Sequence, residues 1–235
     1  MAKPVFVALD VDSKTKLDSL LASLGKPQDT TIKVGMELFY HEGPAIVKEL
    51  ADKGCHIFLD LKLHDIPNTV YRAAKQLAHL GIEYTTVHAL GGSQMIKAAK
   101  DGLIEGTPAG RSVPKLLAVT ELTSISDQVL TNEQHCALPM NEQVLSLASM
   151  AQKAGADGII CSPLEVKELH QKITGNFLFV TPGIRPKTSG SDDQARTATP
   201  QEARKFGSSA IVVGRPITLA SDPQAAYEAI KKEFN

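Results

Sequence analysis

The sequence has no tryptophan, few other aromatic residues and only three cysteines, and its other absences exclude several classes of protein. Cys55, Cys136 and Cys161 are odd in number and widely spaced, so we interpret them as reduced thiols and not as a disulfide framework. No Cys-x-x-Cys or His-Glu-x-x-His spacing indicates a metal site. We therefore expect a protein of a cytoplasm-like compartment that binds no metal.

The chain also lacks long hydrophobic runs and a strong charge of either sign. No apolar run is long enough to span a bilayer, and the first residues enter a strand pattern without a signal-peptide pattern. The formal net charge is −1, which provides no general attraction to nucleic acid or to an anionic membrane. We therefore expect neither nucleic acid nor membrane as a partner.

Short apolar runs alternate with segments of helical periodicity along the 235 residues. The eight predicted strands cover residues 5–9, 31–34, 57–61, 82–87, 115–119, 158–161, 177–181 and 210–213. Eight strand–helix units in a chain of this length favour an α/β fold, a (β/α)8 TIM barrel forming a single domain over residues 1–235. A doubly wound open sheet is the alternative, although residues 10–13 lack the Gly-rich first turn that such a sheet usually has.

Residues 60–65 (Asp-Leu-Lys-Leu-His-Asp) directly follow an apolar run that is typical of a buried strand. Side chains two residues apart in a strand point to the same face, so Asp60 and Lys62 are expected to lie together, with Asp65 just beyond the strand. Burying such charges is costly unless they pair. A lysine held between carboxylates also suits proton transfer to carbon.

Active sites of barrel enzymes lie at the carboxyl ends of the strands, where this sequence places several polar residues. The first three strands are neighbours in a barrel and end at Asp10, at Lys33 and at Asp60 with Lys62. We predict that these four side chains form a chain of alternating charges. His88 also ends a strand, and we interpret it as a hydrogen-bonded structural histidine.

The end of the chain indicates an anion site. Gly214 and Arg215 follow the last strand, where the barrel commonly binds phosphate, and arginine supplies a permanent forked cation. Residues 181–199 form a long polar segment that is typical of a lid or a binding loop.

Structural interpretations of the same residues remain open at this point. Asp65 precedes Ile-Pro-Asn and could cap a helix, and Asp60 with Lys62 could be a structural salt bridge under a loop. Lys33 alone would more often be a solvated strand-end residue, and Arg215 could lie on the surface.

Residues 58–69 (FLDLKLHDIPNT) resemble the signature of the orotidine 5′-phosphate decarboxylase family in its bacterial type. Further segments agree in order along nearly the whole chain: residues 8–10, 33–35, 87–92, 120–124, 181–185 and 213–217. The Asp-x-Lys-x-x-Asp core is shared with Mg-dependent 3-keto-L-gulonate 6-phosphate decarboxylase, which has an acidic residue where Lys33 stands. A non-catalytic barrel that senses a phosphorylated metabolite is another alternative, but anion binding alone would not require clustered carboxylates.

The resemblance implies an enzyme that converts orotidine 5′-phosphate to UMP, the last step of pyrimidine nucleotide synthesis, without cofactor or metal. It implies that Lys62 protonates C6 of the pyrimidine ring, that Asp60 keeps Lys62 aimed, and that Lys33 neutralises Asp60 and holds a ribose hydroxyl. It also implies a homodimer in which Asp65 reaches the partner's site. The remaining substrate-binding residues that it implies are Asp10 and Thr69 at the ribose, Thr123 and Pro182 at the ring, and Arg185, Gln194, Gly214 and Arg215 at the phosphate.

Overall fold

The computed structural model describes residues 2–186 and 196–235, and its core is a closed barrel of eight parallel strands. Each strand is hydrogen-bonded to the next in chain order, and β8 returns to pair with β1. The predicted barrel is therefore confirmed, and the open-sheet alternative is wrong. The strands are β1 Val5–Ala8, β2 Thr31–Val34, β3 His56–Leu63, β4 Tyr84–His88, β5 Lys115–Val119, β6 Gly158–Ile160, β7 Leu178–Thr181 and β8 Ala210–Val213.

Helices follow the strands and form the outer layer of the barrel. They are α1 Lys14–Ser23, α2 Met36–Glu42, α3 Pro44–Asp52, α4 Pro67–Leu77, α5 Gly92–Gly106, α6 Asp127–Asn132, α7 Met140–Lys153, α8 Val166–Lys172, α9 Pro200–Phe206, α10 Arg215–Thr218 and α11 Pro223–Phe234. The sequence patterns did not predict α2, because Leu38 is the one fully buried residue in its seven positions and so leaves no helical periodicity. Within the described ranges, no helix combines the length and apolarity needed to cross a membrane.

Apolar side chains fill the interior of the barrel below its carboxyl end. Phe6 and Phe58 meet edge to face with ring centroids 5.3 Å apart, and Leu117, Val180 and Val212 pack around them. Inward-facing residues alternate along a strand, so the position two residues after Phe58 also faces the interior, but one layer higher. That position is Asp60, where the apolar core gives way to charged side chains.

Helices α4 and α5 approach each other closely through two glycines of α5. A Cβ atom added at Gly102 would lie 2.3 Å from the carbonyl oxygen of Tyr71, and one at Gly106 would lie 2.2 Å from the carbonyl oxygen of Lys75. Both neighbouring atoms belong to the backbone of α4 and cannot rotate away. The glycines therefore set the distance between the helix that follows β3 and the helix that follows β4.

We expect Gly102→Ala to lower the free energy of unfolding by about 1–3 kcal/mol through overpacking. In an unconstrained helix the same change would stabilise by about 1 kcal/mol, so the sign of the effect tests the close contact. Urea denaturation measures it, with Lys97→Ala on the exposed face of α5 as the control. A Gly102→Ala protein as stable as wild type would contradict the close packing.

Candidate active site

A cavity of about 710 Å³ opens at the carboxyl ends of the strands. Its walls come from β1, β2, β3, β5, β6 and β8 and from the segments that follow β5, β7 and β8. Nine residues that the sequence analysis singled out line it: Asp10, Lys33, Asp60, Lys62, Thr123, Pro182, Arg185, Gly214 and Arg215. The cavity therefore brings the predicted charge cluster and the predicted anion site into one space.

Four charged side chains form a continuous chain along one wall of the cavity. Lys62 Nζ lies 2.8 Å from Asp60 Oδ2, and Lys33 Nζ lies 3.9 Å from the same oxygen. Lys33 Nζ also donates a hydrogen bond to Asp10 Oδ1 at 3.0 Å. The predicted alternation of charges across three neighbouring strands is confirmed.

Burial of the cluster increases toward its centre. The side chains of Lys33 and Asp60 are only 10% and 12% exposed, whereas those of Lys62 and Asp10 are 28% and 57% exposed. Removing a carboxylate and an ammonium from water is costly, and close pairing offsets part of that cost. The Lys62 ammonium and the Asp10 carboxylate are the two members that remain most accessible to a ligand in the cavity.

The backbone at Lys62 has an unusual conformation. Its φ of 51° lies in the left-handed region, which a residue with a side chain seldom adopts. The pairing of β3 with β4 also shifts register between Leu59 and Leu63. The amide of Lys62 donates to Thr86 Oγ1 at 2.8 Å, and that hydroxyl donates to Asp60 Oδ1 at 2.9 Å. Sequence reasoning missed Thr86, since a threonine inside a strand is ordinary.

The structure describes both Asp65 and Thr69, and neither of them lines this cavity. Both residues are exposed. The interpretation of Asp65 as a helix cap is wrong, because Ile66 occupies the N-cap position of α4 and no side chain caps it. The Asp65 carboxylate instead accepts from the amide of Ile66 at 2.6 Å, which holds it at the start of the turn before α4.

The two ends of the long segment after β7 lie side by side. Ile184 and Ala198 form a parallel bridge, in which the Arg185 amide donates to the Ala198 carbonyl at 2.9 Å. The Ala198 amide donates to the Gly183 carbonyl at 3.1 Å. The base of the predicted binding loop is thus anchored at the cavity. Gln194, the predicted phosphate ligand on this loop, lies outside the described residues.

Arg196 connects that base to two other loops and was not singled out from the sequence. Its guanidinium pairs with Glu165 and also donates to the Leu122 carbonyl at 3.0 Å. Burial raises the pKa of Glu165 above its usual value, and Arg196 opposes that shift. The ion pair therefore ties the segment after β7 to the segment that carries Thr123.

His88 at the end of β4 has the structural role predicted for it. Its Nδ1 accepts from the Leu90 amide at 3.3 Å, and its ring stacks on that of His64 with centroids 5.5 Å apart. Burial first, and then the neighbouring side chains of His64 and Lys62, lower the pKa of His88, which favours the neutral ring. Only a neutral ring has a nitrogen with a free lone pair, and Nδ1 needs that lone pair to accept the hydrogen bond from the Leu90 amide.

No group of three or more His, Cys, Asp or Glu side chains within residues 2–186 and 196–235 is arranged to hold a metal ion. The carboxylates of Asp10 and Asp60 are instead paired with lysines, and that of Glu121, which also lines the cavity, accepts from Gln143 at 3.3 Å. The lining of the site therefore includes two lysines, three carboxylate residues and two arginines.

Comparisons with known proteins identify relatives that match this chain over its full length. A curated protein of Lactobacillus johnsonii named orotidine 5′-phosphate decarboxylase is 70% identical over the full length of both chains, and one of Lactobacillus acidophilus with the same name is also 70% identical over the full length of both. The crystal structure of orotidine 5′-phosphate decarboxylase from Lactobacillus acidophilus superposes with a TM-score of 0.91 at 69% identity, covering 99% of each chain.

The sequence model of the orotidine 5′-phosphate decarboxylase / HUMPS family matches residues 3–230, which is nearly the whole chain. The same residues build the barrel and the charged cavity described above. From the match, the full-length relatives and the shared fold together, this chain belongs to the orotidine 5′-phosphate decarboxylase / HUMPS family.

Proposed function

We propose that this chain is a cytoplasmic enzyme, a single barrel domain over residues 1–235, that decarboxylates orotidine 5′-phosphate to UMP in pyrimidine synthesis. The observation that carries the proposal is the chain of alternating charges in the cavity, with Lys33 between Asp10 and Asp60. The names of the full-length relatives support the same substrate.

Decarboxylation leaves an electron pair on C6, a ring carbon that offers little delocalisation. The enzyme must therefore stabilise this charge with a fixed opposite charge. Lys62 supplies an ammonium group at the cavity wall, held 2.8 Å from Asp60. As the C6–carboxylate bond breaks, CO2 leaves and the Lys62 ammonium transfers a proton to C6. The neutral amine then regains a proton from solvent, and no oxidant or reductant is consumed.

Asp60 and Lys33 keep that ammonium in place. Asp60 Oδ2 contacts Lys62 and lies 3.9 Å from Lys33, so one buried carboxylate oxygen orients both lysines. In the bound complex Asp60 lies near the departing carboxylate. Asp10, whose side chain is 57% exposed, and Lys33, which donates a hydrogen bond to it at 3.0 Å, hold the ribose hydroxyls.

The segments that follow β5, β7 and β8 hold the rest of the substrate. Arg215, Arg185 and the Gly214 amide bind the phosphate, while Thr123 and Pro182 contact the ring. The family resemblance adds Gln194 as a further phosphate ligand. The phosphate is remote from C6, but its binding energy positions C6 against Lys62 and orders the segment that carries Arg185.

The proposal includes a homodimer in which Asp65 and Thr69 complete the partner's site. Both residues are exposed and lie outside the cavity of their own chain. The neighbouring Ile66 is 66% exposed, and burying this apolar side chain against a second copy would remove its surface from water.

The Mg-dependent sugar-phosphate decarboxylase remains the alternative within the family, and Lys33 argues against it. Lys33 is 8% exposed and its ammonium occupies the space between two carboxylates, where a divalent cation would otherwise pair with them. The reaction proposed here uses no metal or cofactor. A phosphate sensor is disfavoured because sensing an anion requires neither Asp60 nor Asp10.

Purified protein is expected to convert orotidine 5′-phosphate to UMP in the presence of EDTA, seen as the change in the ultraviolet spectrum. The Lys62→Ala variant should lose nearly all turnover while still binding UMP, because the phosphate contacts are intact. Turnover of Lys62→Ala within about tenfold of wild type would contradict its role as proton donor. No turnover of orotidine 5′-phosphate, together with Mg²⁺-dependent and EDTA-sensitive decarboxylation of 3-keto-L-gulonate 6-phosphate, would identify the alternative enzyme.

Arg215→Ala is expected to lower kcat/KM for orotidine 5′-phosphate roughly 30- to 150-fold, the equivalent of about 2–3 kcal/mol for a charge-assisted contact. With orotidine, which has no phosphate, the same variant should equal wild type. Arg204→Ala on exposed α9 is the control and should leave both substrates unaffected. Equal losses on both substrates would show that Arg215 acts elsewhere than at the phosphate.

Subunit mixing tests the proposed dimer. Refolding Lys62→Ala together with Asp65→Ala should restore about a quarter of wild-type activity, because half of the dimers are then mixed and each has one complete site. Mixing Lys62→Ala with Asp60→Ala is the matched control and should restore nothing, since both residues serve the same cavity. No recovery in the first mixture would mean that Asp65 does not act across an interface.

A further inference from the structure

We propose that Thr86 is a positioning residue for the proton donor, a role that rests on the proposed function. Its hydroxyl lies between the Asp60 carboxylate and the backbone of Lys62, and it is fully buried in β4. Thr86 does not line the cavity, so it acts on the reaction only through these two residues.

The chemistry of the three groups determines the direction of both hydrogen bonds. The Lys62 amide can only donate, and its nitrogen lies 2.8 Å from Thr86 Oγ1. The ionised Asp60 carboxylate can only accept, and its Oδ1 lies 2.9 Å from the same hydroxyl. A hydroxyl has one proton and two lone pairs, so Thr86 serves both neighbours at once. Valine would have the same shape but serve neither.

The hydroxyl replaces a contact that the sheet cannot provide. Leu59 pairs with Thr85 and Leu63 pairs with Val87, so β3 advances four residues while β4 advances two. Within this bulge the Lys62 amide bonds to a side chain of β4 instead of to its backbone. An amide left unpaired there would destabilise this part of the strand, because a buried donor without an acceptor keeps the full cost of its desolvation.

The same contact supports a strained backbone. Lys62 has a φ of 51°, and a non-glycine residue keeps this unfavourable conformation only where the surrounding structure holds it. The left-handed turn sets where the lysine side chain leaves the strand. The Thr86 hydroxyl therefore stabilises the backbone conformation that directs the Lys62 ammonium into the cavity.

Thr86 also decides which oxygen of Asp60 meets the lysines. Asp60 Oδ1 accepts from Thr86, which leaves Oδ2 for Lys62 at 2.8 Å and Lys33 at 3.9 Å. Without the hydroxyl, the carboxylate is free to rotate and the ammonium follows it. A displacement of about 1 Å in a reacting group costs on the order of 100-fold in rate.

The adjacent residue offers a matched control. Thr85 is also fully buried in β4, and in the part of the chain that the structure describes its hydroxyl has no hydrogen-bond partner. Thr85→Val and Thr86→Val therefore remove the same atom from neighbouring positions of one strand. Only the second change removes contacts to Asp60 and Lys62.

The experiment measures kcat and KM for orotidine 5′-phosphate and the Kd for UMP in Thr86→Val, Thr86→Ser and Thr85→Val. We expect Thr86→Val to lower kcat on the order of 100-fold, with KM and Kd within about threefold of wild type. Thr86→Ser keeps the hydroxyl and should stay within about threefold of wild type in all three. Thr85→Val should match wild type.

Three results would overturn the inference: an unchanged kcat in Thr86→Val, an equal loss in Thr86→Val and Thr86→Ser, or a loss confined to KM and UMP binding. Should Thr86→Val fail to fold, Thr86→Ser against Thr86→Ala makes the same comparison, because both lack the methyl group and differ in the hydroxyl. A wild-type protein without turnover would instead overturn the proposed function, and the inference with it.

Discussion

The buried carboxylate of Asp60 is the constraint on which the charged wall of the cavity depends. A carboxylate that is only 12% exposed must be paired with positive charge and hydrogen-bond donors, and its partners come from its own strand and from the two strands beside it. Lys62 comes from its own strand, Lys33 from β2 and the Thr86 hydroxyl from β4. The pairing of strands in chain order places β2 and β4 on either side of β3, so the fold itself assembles the site.

The apolar interior of the barrel below this wall strengthens the electrostatic interactions of the charged side chains. Phe58 lies two residues before Asp60 on the same face, and it packs on Phe6 within the barrel. Charges above such a layer interact more strongly than they would in water. They are also held in fixed positions, which is what stabilisation of a developing carbanion requires. The bulge at Lys62 adds local strain at the same place, as is common at functional sites.

Much of the fold and the cluster could be predicted from the sequence, for identifiable reasons. Parallel strands that are consecutive in a barrel end at one edge, so polar residues that follow them meet, as Asp10, Lys33 and Asp60 do. Thr86 and Arg196 could not be found this way. The contacts of Thr86 depend on a register shift between β3 and β4. Those of Arg196 join three loops, and no sequence pattern predicts which loops meet. The alternative interpretation of Asp65 as a helix cap was wrong because Ile66 occupies the N-cap position of α4.

The sequence by itself determined the approximate strands and the residues that follow them, because the periodicity of apolar residues is a local property of the chain. The count of strand–helix units then indicated the barrel, in which the strands pair in chain order. Only the tertiary structure decided how those residues face one another. Which oxygen of Asp60 meets the lysines, and how Lys62 leaves its strand, depend on a side chain 24 positions away from Lys62. Such contacts arise from the register between strands, and register is set by the packing of the whole barrel.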